Sequence, residues 1–283
     1  NKKLLTLAGP GLTYTVAWIQ LFIGLLYVLP VWALKLRAKP ELTSAEVQKL
    51  IPVAITHTLT HLGAVVSLGA GAVSFTHIVK SAEPAVSALL SAIFLKSYLP
   101  IPVYLSLVPV MAGVAMASLT ELSFNWLSFG SAMVSNVASA SRGIVGKMSM
   151  GKDKVGKNMD AANLYAVLTI MSTLMVLPVV LAVEGRRIIP TIQGIIAAGN
   201  GPQLGKLTLL SGFLYYLYNE VAFLALDNVA PVTHALGNTI KRVVIIVASV
   251  IAFGTPMSEQ GMIGSGVAIG GVLLYSLAKN YFQ

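Results

Sequence analysis

Two adjacent cations, Lys241 and Arg242, lie inside an apolar stretch that runs from residue 230 to residue 253. That stretch is long enough to cross a bilayer, and a charge at the centre of a spanning helix costs about 2.5–3.5 kcal/mol on insertion scales. Another cation, Lys80, lies in a second apolar stretch, residues 73–95. Because charged residues at such depth face a bundle interior or a wet cavity, the three cations predict an intramembrane site for an anion.

Polar neighbours at helical spacing extend this candidate site. Lys80 shares a helix face with Thr76 and His77, and Lys241 shares one with Asn238, by the i−3 and i−4 relations. A guanidinium can bind two oxygens of a phosphate at once, while ammonium groups add point charges. The residue types therefore favour a phosphate as the anion.

Two further side chains are candidates for contacting the rest of such a ligand. His61 lies one turn after His57 on the span before Lys80, and Tyr218 lies near the middle of the span before Lys241. The histidine pair lacks the glutamate of a zincin motif and a third ligand, and the chain has no cysteine, so we expect no metal site and no cofactor. Alternatively, Tyr218 could be one of the tyrosines that lie at the membrane–water interface.

Structural ion pairs are the alternative interpretation of the buried charges. Lys80 could pair with Glu83, and Lys241 or Arg242 with Glu220. Three cations against two acids leave an excess of positive charge, which favours the anion site.

Composition indicates a polytopic membrane protein whose partner is the lipid bilayer. The chain has 283 residues, of which 56% are hydrophobic and 10% charged, where a soluble domain carries roughly 25% charged residues. The net charge of +9 comes mostly from loops, so no nucleic-acid partner is predicted.

Nine stretches have the length and composition of a membrane span. They are residues 12–34, 50–70, 73–95, 99–119, 124–146, 161–183, 207–228, 230–253 and 260–279. Residues 1–9 are expected to be the tail of a tenth helix, truncated at its start.

Residues 43–46 (TSAE) predict a capping box that begins a helix. Residues 188–197 predict a short helix at the membrane interface, and Gly266 and Gly270 predict close helix packing.

Loop charge predicts the orientation of the spans. One side carries eleven loop cations, and the opposite side carries only Arg186, Arg187 and Lys206. By the positive-inside rule, the side with eleven cations faces the compartment from which the protein inserts.

A repeat relates the two halves of the chain. Residues 74–80 (SFTHIVK) and 231–234 (PVTH) each open a span with an intramembrane cation, followed by a proline-containing turn and a glycine-rich helix. We therefore predict two five-helix copies of opposite orientation in one integral membrane domain. The N-terminal part is 1–150, with a repeat of about 1–119, and the C-terminal part is 151–283, with a repeat of about 124–283. In such inverted repeats the substrate site lies near the midplane.

Several motifs resemble the plastidic phosphate translocators over essentially the whole chain. They are residues 74–80 with 83–84 (EP), residues 118–126 (SLTELSFNW), and residues 229–234 (VAPVTH) with 237–238 (GN) and 241–242 (KR). The resemblance implies the ten-helix, all-α drug/metabolite-transporter fold in the plastid (chloroplast) inner envelope membrane. It also implies exchange of inorganic phosphate for phosphorylated carbon compounds, with Lys80 and the pair Lys241 and Arg242 at the site.

Residues 161–166 (AANLYA) resemble the triose-phosphate branch most, which implies triose phosphate, 3-phosphoglycerate and phosphate as substrates. Residues 85–87 (AVS) depart from the phenylalanine pair that relatives commonly carry. Specificity for phosphoenolpyruvate or a sugar phosphate, a nucleotide-sugar antiporter and a drug exporter stay open, as does the oligomeric state. An enzyme acting on phosphorylated lipid is not favoured, because no nucleophile–base pair occurs within the spans.

Overall fold

The computed structural model describes residues 1–122, 124–150, 155–228, 231–255 and 257–282, with the backbone alone for 147, 149–150, 226–228 and 231–236. Within these ranges every regular element is helical, apart from an isolated β-bridge between Glu41 and Lys157. A 3₁₀ turn (Pro10–Leu12) accompanies thirteen α-helices: α1 (Lys2–Ala8), α2 (Thr13–Ala33), α3 (Ser44–Ala70), α4 (Val73–Lys80), α5 (Glu83–Phe94), α6 (Ile101–Leu105), α7 (Leu107–Leu119), α8 (Trp126–Met150), α9 (Ala161–Val183), α10 (Gly185–Ala197), α11 (Gly201–Asn228), α12 (Pro231–Phe253) and α13 (Glu259–Phe282).

In the described part of the chain, six helical segments are long and apolar enough to cross a membrane. They are Pro10–Ala33, Ser44–Ala70, Ile101–Leu119, Ala161–Val183, Gly201–Ala225 and Glu259–Phe282. The predicted all-α polytopic class is confirmed. The short helix predicted between α9 and α11 is also present, as α10.

Proline breaks two of the predicted spans. The ring of a proline clashes with the carbonyl group four residues earlier. Pro84 therefore disfavours a continuous helix through Lys80, and α4 ends at that residue. Pro109 acts in the same way on Leu105, where α6 ends. The spans predicted as residues 73–95 and 99–119 are each two helices.

The predicted capping box begins α3. The Glu46 carboxylate accepts hydrogen bonds from the backbone N–H and the hydroxyl of Thr43, both at 2.7 Å. In return, the backbone N–H of Glu46 donates to the Thr43 hydroxyl at 3.4 Å. The helix starts at Ser44, six residues before the predicted span, because these bonds satisfy its first free N–H groups.

The chain divides into two compact units. Unit 1 comprises residues 1–65 and 145–228, and unit 2 comprises residues 66–144 and 229–283. The boundaries fall within α3 and α8 as well as between α11 and α12. Each unit takes two separate segments of the chain, whereas the predicted parts, 1–150 and 151–283 with repeats of about 1–119 and 124–283, divide the sequence into consecutive pieces. The repeats stay a prediction.

Unit 1 is built on α2, α9 and α11, which pack on one another. Val28, Tyr165 and Tyr216 form a buried cluster. Gly24 lets the Tyr216 ring approach α2, since a Cβ atom there would lie 2.4 Å from that ring.

Unit 2 contains a backbone-to-backbone contact between α7 and α13. A Cβ atom on Gly113 would lie 2.3 Å from the backbone nitrogen of Ala268, and one on Gly264 would lie 2.7 Å from that of Ala117. The prediction that Gly266 and Gly270 make the close contact is wrong, because both are exposed and a Cβ atom there would meet nothing within 4 Å. The residues of α13 that pack against α7 include Gly264 and Ala268, each two positions before the glycine that was predicted.

Gly113→Ala is expected to lower the thermal stability of the protein, because neither backbone can move aside for the new methyl group without separating the helices. Overpacking of this kind costs about 1–3 kcal/mol. Gly266→Ala is the matched control and should keep or slightly raise the melting temperature, since alanine favours helix and has open space there. Melting temperatures in detergent test this, and equal values for the two variants would contradict the contact.

Candidate functional site

Lys80 is the last residue of α4, where the partial negative charge of a helix C-terminus favours a cation. Its ammonium group donates a hydrogen bond to the Ser135 hydroxyl of α8 at 2.7 Å. Ser135 is fully buried. The lysine predicted from sequence is therefore fixed by a neighbouring helix of the same unit.

The break between α4 and α5 is stabilised by a second α8 residue. The backbone carbonyl of Val79 accepts a hydrogen bond from the side-chain amide of Asn136 at 2.9 Å. The Ser81 hydroxyl donates to the carbonyl of His77 at 3.1 Å. These bonds satisfy carbonyl groups that a helix end would leave without partners, so the break is a defined structure.

Glu83, the first residue of α5, connects this break to α12. Its carboxylate accepts from the Ser139 hydroxyl at 2.5 Å and from the Arg242 guanidinium at 3.3 Å. The same guanidinium lies 3.4 Å from the His77 carbonyl oxygen. Arg242 therefore bridges the end of α4 and the start of α5 with two nitrogens. Its side chain is 12% exposed and that of Glu83 is 30% exposed.

Lys241 lies on the face that the sequence predicts. Its ammonium group donates to the Asn238 side-chain oxygen at 3.0 Å. His77 lies within electrostatic range of Lys80, Lys241 and Arg242. The structure thus brings the three predicted cations and His77 together in unit 2. The i−7 spacing also predicts His234 on the helix face of Lys241, but its side chain lies outside the described residues.

Arg142 is a cation of this cluster that sequence reasoning missed. It lies on α8 within electrostatic range of Lys80 and Glu83, whereas its place near a span end suggested a loop charge. Ser135, Ser139 and Arg142 follow the i, i+4, i+7 spacing of one helix face. This spacing in the sequence could have identified Arg142 as a residue of the site.

Among the described side chains, this cation cluster of unit 2 (Lys80, Arg142, Lys241 and Arg242) has one carboxylate, Glu83. Arg242 and Glu220 each have a partner within their own unit, and a pair between Lys241 and Glu220 stays a prediction. Arg242 pairs with Glu83, and Glu220 pairs with Arg37 within unit 1. Four cations against one acid leave a net positive site that suits a multiply charged anion.

Thr76 is buried, and its hydroxyl lies 2.8 Å from that of Ser67 and 3.2 Å from the Ala72 carbonyl oxygen. These bonds join α4 to α3. A role for Thr76 in ligand binding stays a prediction.

His61 and Tyr218 belong to unit 1. His61 is buried, with its Nε2 atom 3.0 Å from the Ala17 carbonyl oxygen and its ring 4.4 Å from that of Tyr215. Tyr218 is 49% exposed. His57 is buried with its ring edge-on to Tyr165. The predicted roles of His61 and Tyr218 in binding are untested by these contacts.

The helical architecture agrees with comparisons to known proteins. Residues 1–276 match the sequence profile of the Triose-phosphate Transporter family. The chain belongs to this family. The match covers nearly the whole chain, and it confirms the resemblance drawn from the motifs of α4, α5 and α12.

Three relatives show the range of the family. The chain is 43% identical to phosphoenolpyruvate/phosphate translocator 1 of Oryza sativa subsp. japonica over 263 residues, 92% of this chain and 63% of the relative. It is 43% identical to the triose phosphate/phosphate translocator of Spinacia oleracea over 274 residues, 94% and 65% respectively. It is 40% identical to glucose-6-phosphate/phosphate translocator 2 of Arabidopsis thaliana over 280 residues, 99% and 70% respectively.

The chain spans about two thirds of the length of these relatives. All three are chloroplastic, and with the six candidate spans they identify the chain as a multi-pass plastid membrane protein. Similar identities to relatives of three specificities do not distinguish a substrate.

Asn136→Ala is expected to loosen the break between α4 and α5, because the Val79 carbonyl loses its donor from α8 and keeps only backbone donors, among them the N–H of Ala82 at 3.1 Å. The loss of one such hydrogen bond costs about 0.5–1.5 kcal/mol. We expect a lower melting temperature and, since Lys80 is positioned by that break, an exchange rate reduced by roughly tenfold. Asn219→Ala is the matched control, since that amide bonds to the Tyr215 carbonyl within its own helix. Equal effects of the two substitutions would contradict the role of Asn136.

Proposed function

We propose that the protein is an antiporter that exchanges inorganic phosphate for phosphorylated three-carbon metabolites, triose phosphate and 3-phosphoglycerate, across the plastid inner envelope membrane. The observation that carries the proposal is the net positive cation cluster at a helix break in unit 2. Membership in the Triose-phosphate Transporter family supports it. The protein is proposed to transport its ligand without chemical change.

Arg242 is the main phosphate ligand in this proposal. Its guanidinium already spans two acceptors, the Glu83 carboxylate and the His77 carbonyl. A phosphate can take both nitrogens in a bidentate contact. Lys80 and Lys241 supply further charge.

Glu83 acts as an internal competitor for the ligand. In the empty site it offsets one of the four positive charges, and a bound phosphate dianion replaces it as the partner of Arg242. The remaining charge opposes closure of an empty site, since like charges repel strongly where water is excluded. Phosphate cancels most of that charge. Only the loaded protein therefore changes between its two open states, which makes transport a strict exchange.

The choice of three-carbon substrates is the more specific part of the proposal. Residues 161–166 resemble the triose-phosphate branch, yet Asn163 in this motif bonds to Trp32 and the Ala38 carbonyl, and Tyr165 packs against Tyr216. These contacts of the motif lie within unit 1. Specificity for phosphoenolpyruvate is the second candidate, because the chain is also 43% identical to a phosphoenolpyruvate/phosphate translocator.

Exchange assays test the proposal. Purified protein in liposomes is given labelled phosphate outside, with triose phosphate, 3-phosphoglycerate, phosphoenolpyruvate, glucose 6-phosphate or no substrate inside. Uptake driven by the first two compounds is expected. Uptake driven only by phosphoenolpyruvate or glucose 6-phosphate would replace the three-carbon specificity, and fast uptake into empty vesicles would contradict strict exchange.

A further inference from the structure

The helix between α9 and α11 has an apolar face that the protein covers only in part. α10 is rich in isoleucine on one side, and Ile188 packs against a cluster of Leu21, Val176 and Val180 in unit 1. Ile189 and Ile196, seven residues apart and therefore on one face, are 66% and 57% exposed. Part of the apolar face thus remains open.

The position of α10 along the chain puts it at a membrane surface. It joins two candidate spans, Ala161–Val183 and Gly201–Ala225. With 13 residues it would extend only about 20 Å, too short to cross ~30 Å of hydrocarbon. The connection between two spans must therefore lie at one face of the bilayer.

A buried carboxylate fixes the start of this helix. Glu184 accepts hydrogen bonds from the backbone N–H groups of Tyr14 at 2.9 Å and Thr15 at 2.7 Å, and from the Thr15 hydroxyl at 2.7 Å. These donors are at the N-terminus of α2, where a negative charge is favoured. α10 is therefore anchored to a spanning helix, and its open isoleucines have a defined orientation.

The charges beside the open face are all positive. Arg186 and Arg187 lie in the first turn of α10, and Lys206 follows in α11. Residues 185–206 contain no acid, and none of the three cations has an ion-pair partner among the described residues. They are also the only loop cations predicted for this side of the membrane. This side of the membrane has few loop cations, yet the three that it has lie in or next to the amphipathic helix.

We propose that α10 is an interfacial helix that binds anionic lipid headgroups. Ile189 and Ile196 enter the boundary between headgroups and acyl chains, and Arg186 and Arg187 contact the headgroup phosphates. An apolar face combined with basic residues is the feature by which helices lie in such interfaces. The ligand is a bilayer lipid with a net negative headgroup. This site is separate from the cation cluster of unit 2 in sequence and in the residues that form it.

Single cysteines can test the depth of α10, because the chain has no cysteine of its own. A fluorophore is attached to Ile189→Cys, Ile196→Cys or Gly194→Cys, the last on the opposite face, where a Cβ atom meets nothing within 4 Å. In liposomes with brominated acyl chains, strong quenching is expected at 189 and 196 and weak quenching at 194. Equal quenching at all three positions would overturn the interfacial placement.

Headgroup selectivity is measured with the label at Ile189→Cys, using brominated phosphatidylglycerol or brominated phosphatidylcholine at equal bulk fraction. Quenching by phosphatidylglycerol is expected to be greater. The added changes Arg186→Gln and Arg187→Gln should reduce its relative affinity by about fivefold for each arginine, the loss expected for a basic residue near an anionic surface. The same label at Val108→Cys of α7, an exposed position remote in sequence from these arginines, should be unaffected by the arginine changes.

Salt dependence provides a measurement that needs no arginine substitution. With both arginines intact, raising the salt from 0.05 M to 0.5 M should reduce the preference for phosphatidylglycerol, because exposed charges are screened over a shorter distance. Equal quenching by the two lipids at low salt would overturn the proposal, whatever quenching is measured for the protein with both Arg186→Gln and Arg187→Gln.

Discussion

Arg242→Lys is expected to reduce phosphate exchange by roughly 10–100-fold although the positive charge remains. The guanidinium places two nitrogens on two acceptors, whereas an ammonium group is a single point charge that cannot bind two oxygens in the same fork. A hydrogen bond to a charged group contributes about 1.5–3 kcal/mol, which corresponds to this range of rates. Initial rates of labelled phosphate exchange in liposomes provide the measurement.

Lys96→Arg is the control, because this exposed cation also keeps its charge and lies outside the cation cluster. Its exchange rate should equal that of the unmodified protein. Elution as a single species in size-exclusion chromatography shows that Arg242→Lys is folded. A folded Arg242→Lys protein with an unchanged rate would refute the bidentate contact.

Glu83→Gln is expected to tighten phosphate binding by roughly tenfold and to destabilise the protein in the absence of phosphate. Removing one partner of a buried ion pair leaves the other charge uncompensated, at a cost of about 3–5 kcal/mol when the pair is fully buried. Because the Glu83 side chain is 30% exposed, the lower end of this cost applies. Phosphate then supplies the missing negative charge and meets no competitor for Arg242.

Melting temperatures with and without phosphate distinguish this effect from simple damage. Glu83→Gln should melt below the unmodified protein without phosphate and show a larger phosphate-induced rise. Glu41→Gln is the control, since Glu41 is in an exposed pair with Lys157 at 3.4 Å, and such pairs contribute only about 0–1 kcal/mol. Weaker phosphate binding by Glu83→Gln would show that the carboxylate supports the ligand and does not compete with it.

Residue type and apolar length were sufficient to predict most helices and the principal cations. The span predicted at residues 161–183 is α9 without change, because a long uncharged stretch has few alternatives in a membrane. Lys80, Lys241 and Arg242 could be recognised for the same reason, since a charge inside such a stretch needs compensation. Their grouping in unit 2 follows from packing between α4 and α12, which no local pattern specifies.

The helix break beside Lys80 was harder to predict. Pro84 was visible, but proline also occurs inside continuous helices of this chain, at Pro30, Pro52 and Pro178. What makes the break stable is Asn136, a residue 52 positions later in sequence than Pro84, whose amide satisfies the Val79 carbonyl. Only tertiary structure shows that partnership.

The glycines of α13 also show that a sequence pattern alone does not identify which residues pack against a neighbouring helix. Gly266 and Gly270 have the spacing that favours close helix packing, yet Gly264 and Gly271 make the contacts with α7. A glycine-rich helix offers several small faces, and which one meets a neighbour depends on the neighbour's own small residues, here Gly113.

Phosphate binding by the purified protein tests the proposed site most directly. Isothermal titration would compare the unmodified protein with Lys80→Gln, Lys241→Gln and Arg242→Gln, and with Lys96→Gln as an exposed control outside the cluster. Each of the three site substitutions is expected to weaken phosphate affinity by about tenfold or more, and the control should leave it unchanged. Affinity that is unchanged by all three site substitutions in folded protein would show that phosphate binds elsewhere.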